Sequence, residues 1–223
     1  MTIATPETSP GKVDRFSTQR FTMHDVSWDA YESLLRATGD GRRVFITYNR
    51  GTLELMSPSP EHERIGWVLA RLVQTYAEVK RLPLLSLGMT TWRRRSTERG
   101  LEADQCFYIQ NAPRMTPRVR TRTPIDLSVD PPPDLAIEVD LSQSSADKEG
   151  TYAGLGVPEL WRYEEDGRVV VLSLVGGRYV PTAQSIAFPS LPMAAVAEWV
   201  ERGLSMDETE FAIEFRAWAT GQV

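Results

Sequence analysis

The sequence predicts a mixed α/β domain with a central β-sheet flanked by helices, and three stretches carry that expectation. Residues 134–141 alternate strictly. Leu135, Ile137, Val139 and Leu141 face one way, and Asp134, Ala136, Glu138 and Asp140 the other, as on a strand with one face in the core. Residues 44–48 and 52–56 flank Asn49-Arg50-Gly51, a hairpin signature. Ile65, Val68, Leu69, Leu72, Val73, Tyr76 and Val79 recur at helical spacing behind Ser59-Pro60.

Taken in order, residues 1–16 hold threonines, serines and prolines without an apolar core, so they read as a disordered tail before a single domain over 17–223. Residues 27–36 predict a helix capped by Ser27, with Trp28, Tyr31, Leu34 and Leu35 on one stripe and Gly39 and Gly41 beyond its end. The hairpin follows, with Glu54 opposite Leu53 and Leu55. Ser59 then caps the long helix, Pro60 fits its first position, and Glu61 and Glu63 suit the positive end of its dipole. His62 lies in that first turn, where a histidine is more often a surface or capping residue than a ligand.

Residues 84–92 predict a strand running into Arg93, Arg94 and Arg95, and residues 101–109 predict another. In the second, Ala103, Phe107 and Ile109 share one face, and Glu102, Asp104, Cys106 and Tyr108 the other. Residues 110–130 read as a long loop bearing Arg114, Arg118, Arg120 and Arg122, either functional or simply a solvated basic loop. After the central strand come a short helix near 146–155, with Lys148 and Tyr152 one turn apart, and strands near 158–164, 168–174 and 178–181. Val169-Val170-Val171 suits a strand buried on both faces. Two amphipathic helices, near 192–202 and 207–220, close the chain.

Composition narrows the function. The chain has 223 residues, 41% hydrophobic and 25% charged, as in soluble globular proteins, and a formal net charge of −5, which excludes a bulk polyanion binder. One cysteine, Cys106, excludes an internal disulfide and makes the cytoplasm the expected compartment. Two histidines and one cysteine cannot build an ordinary zinc site, so any metal should be a hard one held by carboxylates. No apolar run reaches the length of a membrane span. The three acids of residues 134–140 would repel on one strand face. Either a divalent cation neutralises them, or they lie on an edge strand with that face in water.

The motifs resemble the putative restriction endonuclease domain family, a branch of the PD-(D/E)XK nuclease-like superfamily. The likeness lies in residues 51–58 with His62, in Gly100-Leu101-Glu102-Ala103-Asp104, in Pro133-Asp134 leading to Glu138-Val139-Asp140, and in Lys148 and Tyr152 before Gly156-Val157-Pro158-Glu159-Leu160-Trp161. The resemblance implies a restriction-endonuclease-like mixed sheet, with an N-terminal helix and hairpin and C-terminal helices, that hydrolyses DNA phosphodiester bonds with Mg²⁺ or Mn²⁺. Carried over by position, Asp104 and Glu138 become the metal carboxylates with the carbonyl of Val139, Lys148 the basic residue and Glu54 an additional catalytic acid. His62 and Tyr152 would support them. Arg93, Arg94, Arg95, Arg118, Arg120 and Arg122 would hold DNA phosphates. A homodimer is in keeping with such enzymes, and neither a membrane nor a nucleotide cofactor is implied. Two positions depart from the pattern: Ala103 replaces the usual proline, and Asp140 occupies the usual lysine slot, so Lys148 would serve from the following helix. The alternative is an inactive relative that keeps the fold and binds nucleic acid or protein.

Overall fold

The computed structural model describes residues 18–39, 44–123, 125–141 and 147–221. The expected tail over 1–16, Gly41, and residues 142–146 ahead of the short helix lie outside them. The strands form two sheets. β1 (Gln19–Met23), β2 (Phe45–Asn49), β3 (Thr52–Ser57), β5 (Thr91–Arg94) and β6 (Arg99–Glu102) make one, in the order β1-β3-β2-β6-β5. β4 (Leu85–Ser86), β7 (Gln105–Tyr108), β8 (Leu135–Asp140), β9 (Glu159–Glu164), β10 (Val169–Val175) and β11 (Arg178–Thr182) make the other, in the order β11-β10-β9-β8-β7-β4. Among the described strands only β8 and β9 run parallel, linked through α4 (Lys148–Leu155). The mixed α/β class stands, and the hairpin strands β3 and β2 lie in the middle of the five-stranded sheet.

The hairpin turn is as short as the sequence implies. Arg50 and Gly51 have φ of 46° and 92°, the left-handed pair that a two-residue turn between twisted strands requires. Over its outer face lies α1 (Trp28–Thr38), whose Ser27 cap accepts from Ala30 N–H at 3.2 Å. Trp28, Tyr31 and Leu35 pack there on Ile46, Tyr48 and Leu53, with Tyr31 stacked on Tyr48 at 4.8 Å.

Two expected strands are broken, each where the chain passes between sheets. Residues 84–92 divide into β4 and β5 around Gly88, at φ 55°. Residues 101–109 divide into β6 and β7 at Ala103 and Asp104. Leu101 and Ala103 therefore bury with Cys106 and Tyr108, while Phe107 and Ile109 pack with the long helix. The break shifts the parity, so Ala103 leaves the face the alternation assigned to it. The predicted 110–130 loop also contains a helix, α3 (Ala112–Arg120). Pro113 fits its first turn. Asp134 fixes its entry, accepting from Ile109 N–H at 2.7 Å and Asn111 N–H at 2.9 Å.

The main core lies between α2 (Pro60–Lys80) and the six-stranded sheet. Ile65, Val68, Leu69, Leu72 and Val73 meet Phe107, Leu135, Ile137 and Val139. α5 (Met193–Ser205) and α6 (Glu208–Gly221) cover the other side of α2 with Trp199, Phe211 and Phe215. Val171 of β10 is buried, but Val169 and Val170 are only half-buried, so that run is not enclosed on both faces as expected. None of the described helices is long and apolar enough to cross a membrane.

Candidate active site

β8 is an interior strand, between β7 and β9, so its acids are not the water-facing row of an edge strand. They separate by environment. Asp134 serves the entry to α3, Asp140 is half-buried at the far end, and Glu138 is buried at 3% exposure on the face of Ala136. The β7–β8 register pairs Gln105 with Ile137 and Cys106 with Ala136. One further step along that ladder brings Asp104 opposite Glu138, where same-face side chains stand about 5 Å apart at Cβ. The ladder stops there because the Asp104 side chain takes the next rung: its Oδ2 accepts from Val139 N–H at 2.7 Å. On a strand the carbonyl of a residue shares the edge of its N–H, so the Val139 carbonyl lies on this edge too.

Two helices complete the cluster. Lys148, the first residue of α4, places Nζ 2.5 Å from Glu138 Oε2, and Tyr152, one turn on, donates its hydroxyl to Glu138 Oε1. The α2 cap positions His62: Ser59 Oγ accepts from His62 N–H at 3.2 Å. The ring is buried, not at the surface, with Nε2 3.3 Å from Asp104 Oδ2. Burial lowers the His62 pKa, but Asp104 outweighs it and raises the pKa, and a protonated ring forms an ion pair with that carboxylate. Asp104 Oδ1 is buried without a hydrogen-bond partner among the described residues.

The charges follow from this packing. Burial raises the Glu138 pKa and Asp104 adds to it, and Lys148 only partly offsets them. Burial pushes the same way on Asp104, but His62, Lys148 and the Val139 N–H overcome it and hold the carboxyl below its ordinary value. Desolvation works against charge on Lys148, yet Glu138 and Asp104 outweigh it and keep the ammonium. The face thus carries one acid held below and one held above its ordinary value, with the lysine seated on the second.

A hard cation fits this donor set. Asp104 Oδ1 is a buried acceptor without a hydrogen-bond partner among the described residues, Glu138 stands across the ladder from it, and oxygen donors of this kind suit a hard ion. Among the described residues no three His, Cys, Asp or Glu side chains gather as a metal cluster, so an ion would rest on two carboxylates and main-chain oxygen.

Glu54 and the arginines have other neighbours. Glu54 is buried at 1% exposure and accepts from Arg20 Nη1 at 2.8 Å. Arg94 braces β5 against α4 and the 127 loop, donating to the carbonyls of Gly154 and Leu127. Arg95 pairs with Asp29 and Glu32 at the surface, and Arg93 lies 3.8 Å from Glu32. Arg118 pairs with Asp130 at 2.9 Å, and Arg120 and Arg122 are exposed. Arg20, the partner of Glu54, lies on a strand that the sequence reading did not place. The signal for its strand was the short alternation of Arg20 and Thr22 with Phe21 and Met23.

A family model described as a putative restriction endonuclease, Uma2, matches residues 28–207. No curated protein matches the chain. Among solved structures, the fold is similar to that of a putative nuclease belonging to DUF820 from Anabaena variabilis, with a TM-score of 0.51 and 14% identity. That match covers 78% of this chain and 99% of the other.

Proposed function

The chain belongs to the Uma2 family of putative restriction endonucleases, and from that premise and the site geometry we propose that it is a PD-(D/E)XK-type, metal-dependent endonuclease that hydrolyses phosphodiester bonds in DNA. The observation that carries the reading is the Lys148 ammonium seated on Glu138, beside an Asp104 whose Oδ2 is fixed and whose Oδ1 is left over. A lysine from the next helix does the work of the lysine absent at position 140.

In this reading Asp104, Glu138 and the Val139 carbonyl hold Mg²⁺ or Mn²⁺. Such an ion supplies an activated water and screens the phosphate's negative charge. Lys148 keeps its proton because two carboxylates face it, and so stabilises negative charge developing on the phosphate. Tyr152 orients Glu138 from the opposite oxygen. His62 and the Val139 N–H fix Asp104. Arg93 and Arg95 are exposed and only surface-paired, and surface pairs are worth about 0–1 kcal/mol, so DNA phosphates can compete for them. Cutting both strands of a duplex takes two such sites, which the expected homodimer supplies, in a cytoplasmic setting.

The test is cleavage of supercoiled plasmid with Mg²⁺ or Mn²⁺. Asp104→Asn and Glu138→Gln abolish cutting, and Lys148→Ala lowers it by about 10²–10³-fold, as for removal of a single preorganised charge-stabilising group. DNA binding in EDTA that Glu138→Gln leaves unchanged, with no cutting by the wild type, would establish a non-catalytic binder instead.

A further inference from the structure

Arg20 stands on β1, a strand remote in sequence from the site. The registers align Arg20, Met56 and Phe45 in one row across β1, β3 and β2, and Thr22, Glu54 and Thr47 in the next. Directly paired residues share a face, so all six lie on the face opposite Leu53, Ile46 and Tyr48, which pack under α1. That inner face looks into the site. The Phe45 ring stands edge-on to His62 with centroids 6.1 Å apart, and His62 is the neighbour of Asp104. Asn49 at the end of β2 donates to the Asp147 carbonyl at 3.3 Å, the residue before Lys148. β1 itself starts beside the α2 cap, where Ser59 N–H reaches Thr18 Oγ1 at 3.4 Å.

On this face Arg20 is 12% exposed and Glu54 1%. A buried arginine–glutamate pair adds little stability over apolar residues of similar volume, because desolvation consumes the attraction. Stability alone therefore does not account for it. The arginine charge also reaches Lys148, where it opposes protonation less than burial does and less than the two site acids favour it.

We propose that Arg20 is a phosphate-contacting residue of this site, aimed by Glu54, so that a DNA phosphate is gripped between the Arg20 guanidinium from the five-stranded sheet and the Lys148 ammonium from α4. The proposal rests on the nuclease reading and changes one part of it: Glu54 is a positioning residue for Arg20 and not a further acid in the chemistry. A guanidinium fork suits two phosphate oxygens at once, and a carboxylate behind it fixes the direction of the fork. No bond forms or breaks at Arg20. It stabilises charge.

The experiment measures kcat and KM for plasmid cleavage in Mg²⁺, with Asp104→Asn as the inactive control. Arg20→Met combined with Glu54→Gln removes both charges together and so avoids leaving one buried alone. The expected result is a kcat at least about tenfold lower, since a charge-assisted contact made in the transition state is lost, with KM within about threefold. Arg20→Lys recovers part of the loss by keeping the charge without the fork, whereas a structural brace would show no such graded kcat. Cutting at the wild-type kcat by the double variant overturns the proposal. If Asp104→Asn is dead in that experiment, the nuclease reading survives it. A wild type that never cuts sinks both.

Discussion

Replacing Lys148 with methionine keeps most of the side-chain volume and removes its charge, leaving Glu138 against Asp104 with the Tyr152 hydroxyl. Removing one partner of a buried ion pair costs about 3–5 kcal/mol. Lys148 is 16% exposed and Glu138 4%, so the lysine end is slightly wetted and the lower end, about 3 kcal/mol, is the expected loss. In a domain of this size each kcal/mol moves the midpoint by about 2–4 °C, so Tm falls by about 6–12 °C in EDTA. The deficit depends on pH. Without the ammonium, the Glu138 pKa, already raised by burial and Asp104, rises further. A carboxyl whose folded pKa lies above its unfolded value stabilises the fold at low pH and loses that contribution as pH rises through the folded pKa. Lys148→Met is therefore closest to the wild type near pH 5 and falls behind it toward pH 8.

The assay is urea unfolding in EDTA at several pH values for the wild type, Lys148→Met, Glu138→Gln and the double variant. The double variant removes both charges and recovers to within about 1 kcal/mol of the wild type, which makes the two single losses strongly non-additive. A Lys148→Met protein within about 0.5 kcal/mol of the wild type across the range, as for an ordinary surface substitution, would refute the buried pair. So would a cycle that closes additively.

Two further predictions lie away from the site. Glu159 is 1% exposed and accepts from Trp161 Nε1, Ser185 Oγ, Ile186 N–H and Ala187 N–H, so Glu159→Ala strands four donors and costs about 3 kcal/mol or more in urea unfolding, at about 1–3 kcal/mol per buried unsatisfied group. A loss under about 1 kcal/mol would mean that water takes its place. Burial pushes the Cys106 thiol up to about 12, so a disulfide reagent at pH 8 leaves the native protein unlabelled, and labelling tracks unfolding as urea is added. Fast labelling without denaturant would contradict the packing around Trp92 and Gly88.

What could be read in the sequence was what periodicity carries locally. The alternation of residues 134–141 gave β8, the 3.6-residue spacing behind Ser59-Pro60 gave α2, and Arg50-Gly51 gave the hairpin. What could not be read depends on contacts between distant residues. A strand pattern runs smoothly through Ala103 and Asp104, because nothing local says that a side chain will replace a main-chain rung at Val139. The 110–130 arginines mask the short apolar pair Ala112 and Met115 that seats α3. Arg20 and Glu54 are thirty-four residues apart, and one charged residue in five of β1 gave no hint of its partner. Alternation points to the acids of the candidate site, whereas only the family resemblance points to Lys148, since no spacing rule links it to Glu138.

That last gap has a physical answer in how α4 is tethered. A lysine two residues after Glu138 would share its strand face automatically, but position 140 is an aspartate, and Lys148 must be brought back by the crossover between β8 and β9. A long side chain at a helix terminus is ordinarily loose, and its position beside the positive end of the helix dipole is unfavourable. Here the helix is held on three sides. Asp147 caps it by accepting from Gly150 N–H at 2.7 Å while its carbonyl takes Asn49. Glu149 pairs with Arg162, the β9 residue in register with Glu138. Tyr152 reaches Glu138 itself. These tethers leave the first residue of α4 beside the acids, whose combined charge outweighs desolvation and keeps the ammonium. The place of Lys148 beside Glu138 is therefore set by the helix's anchorage and not by its distance along the chain.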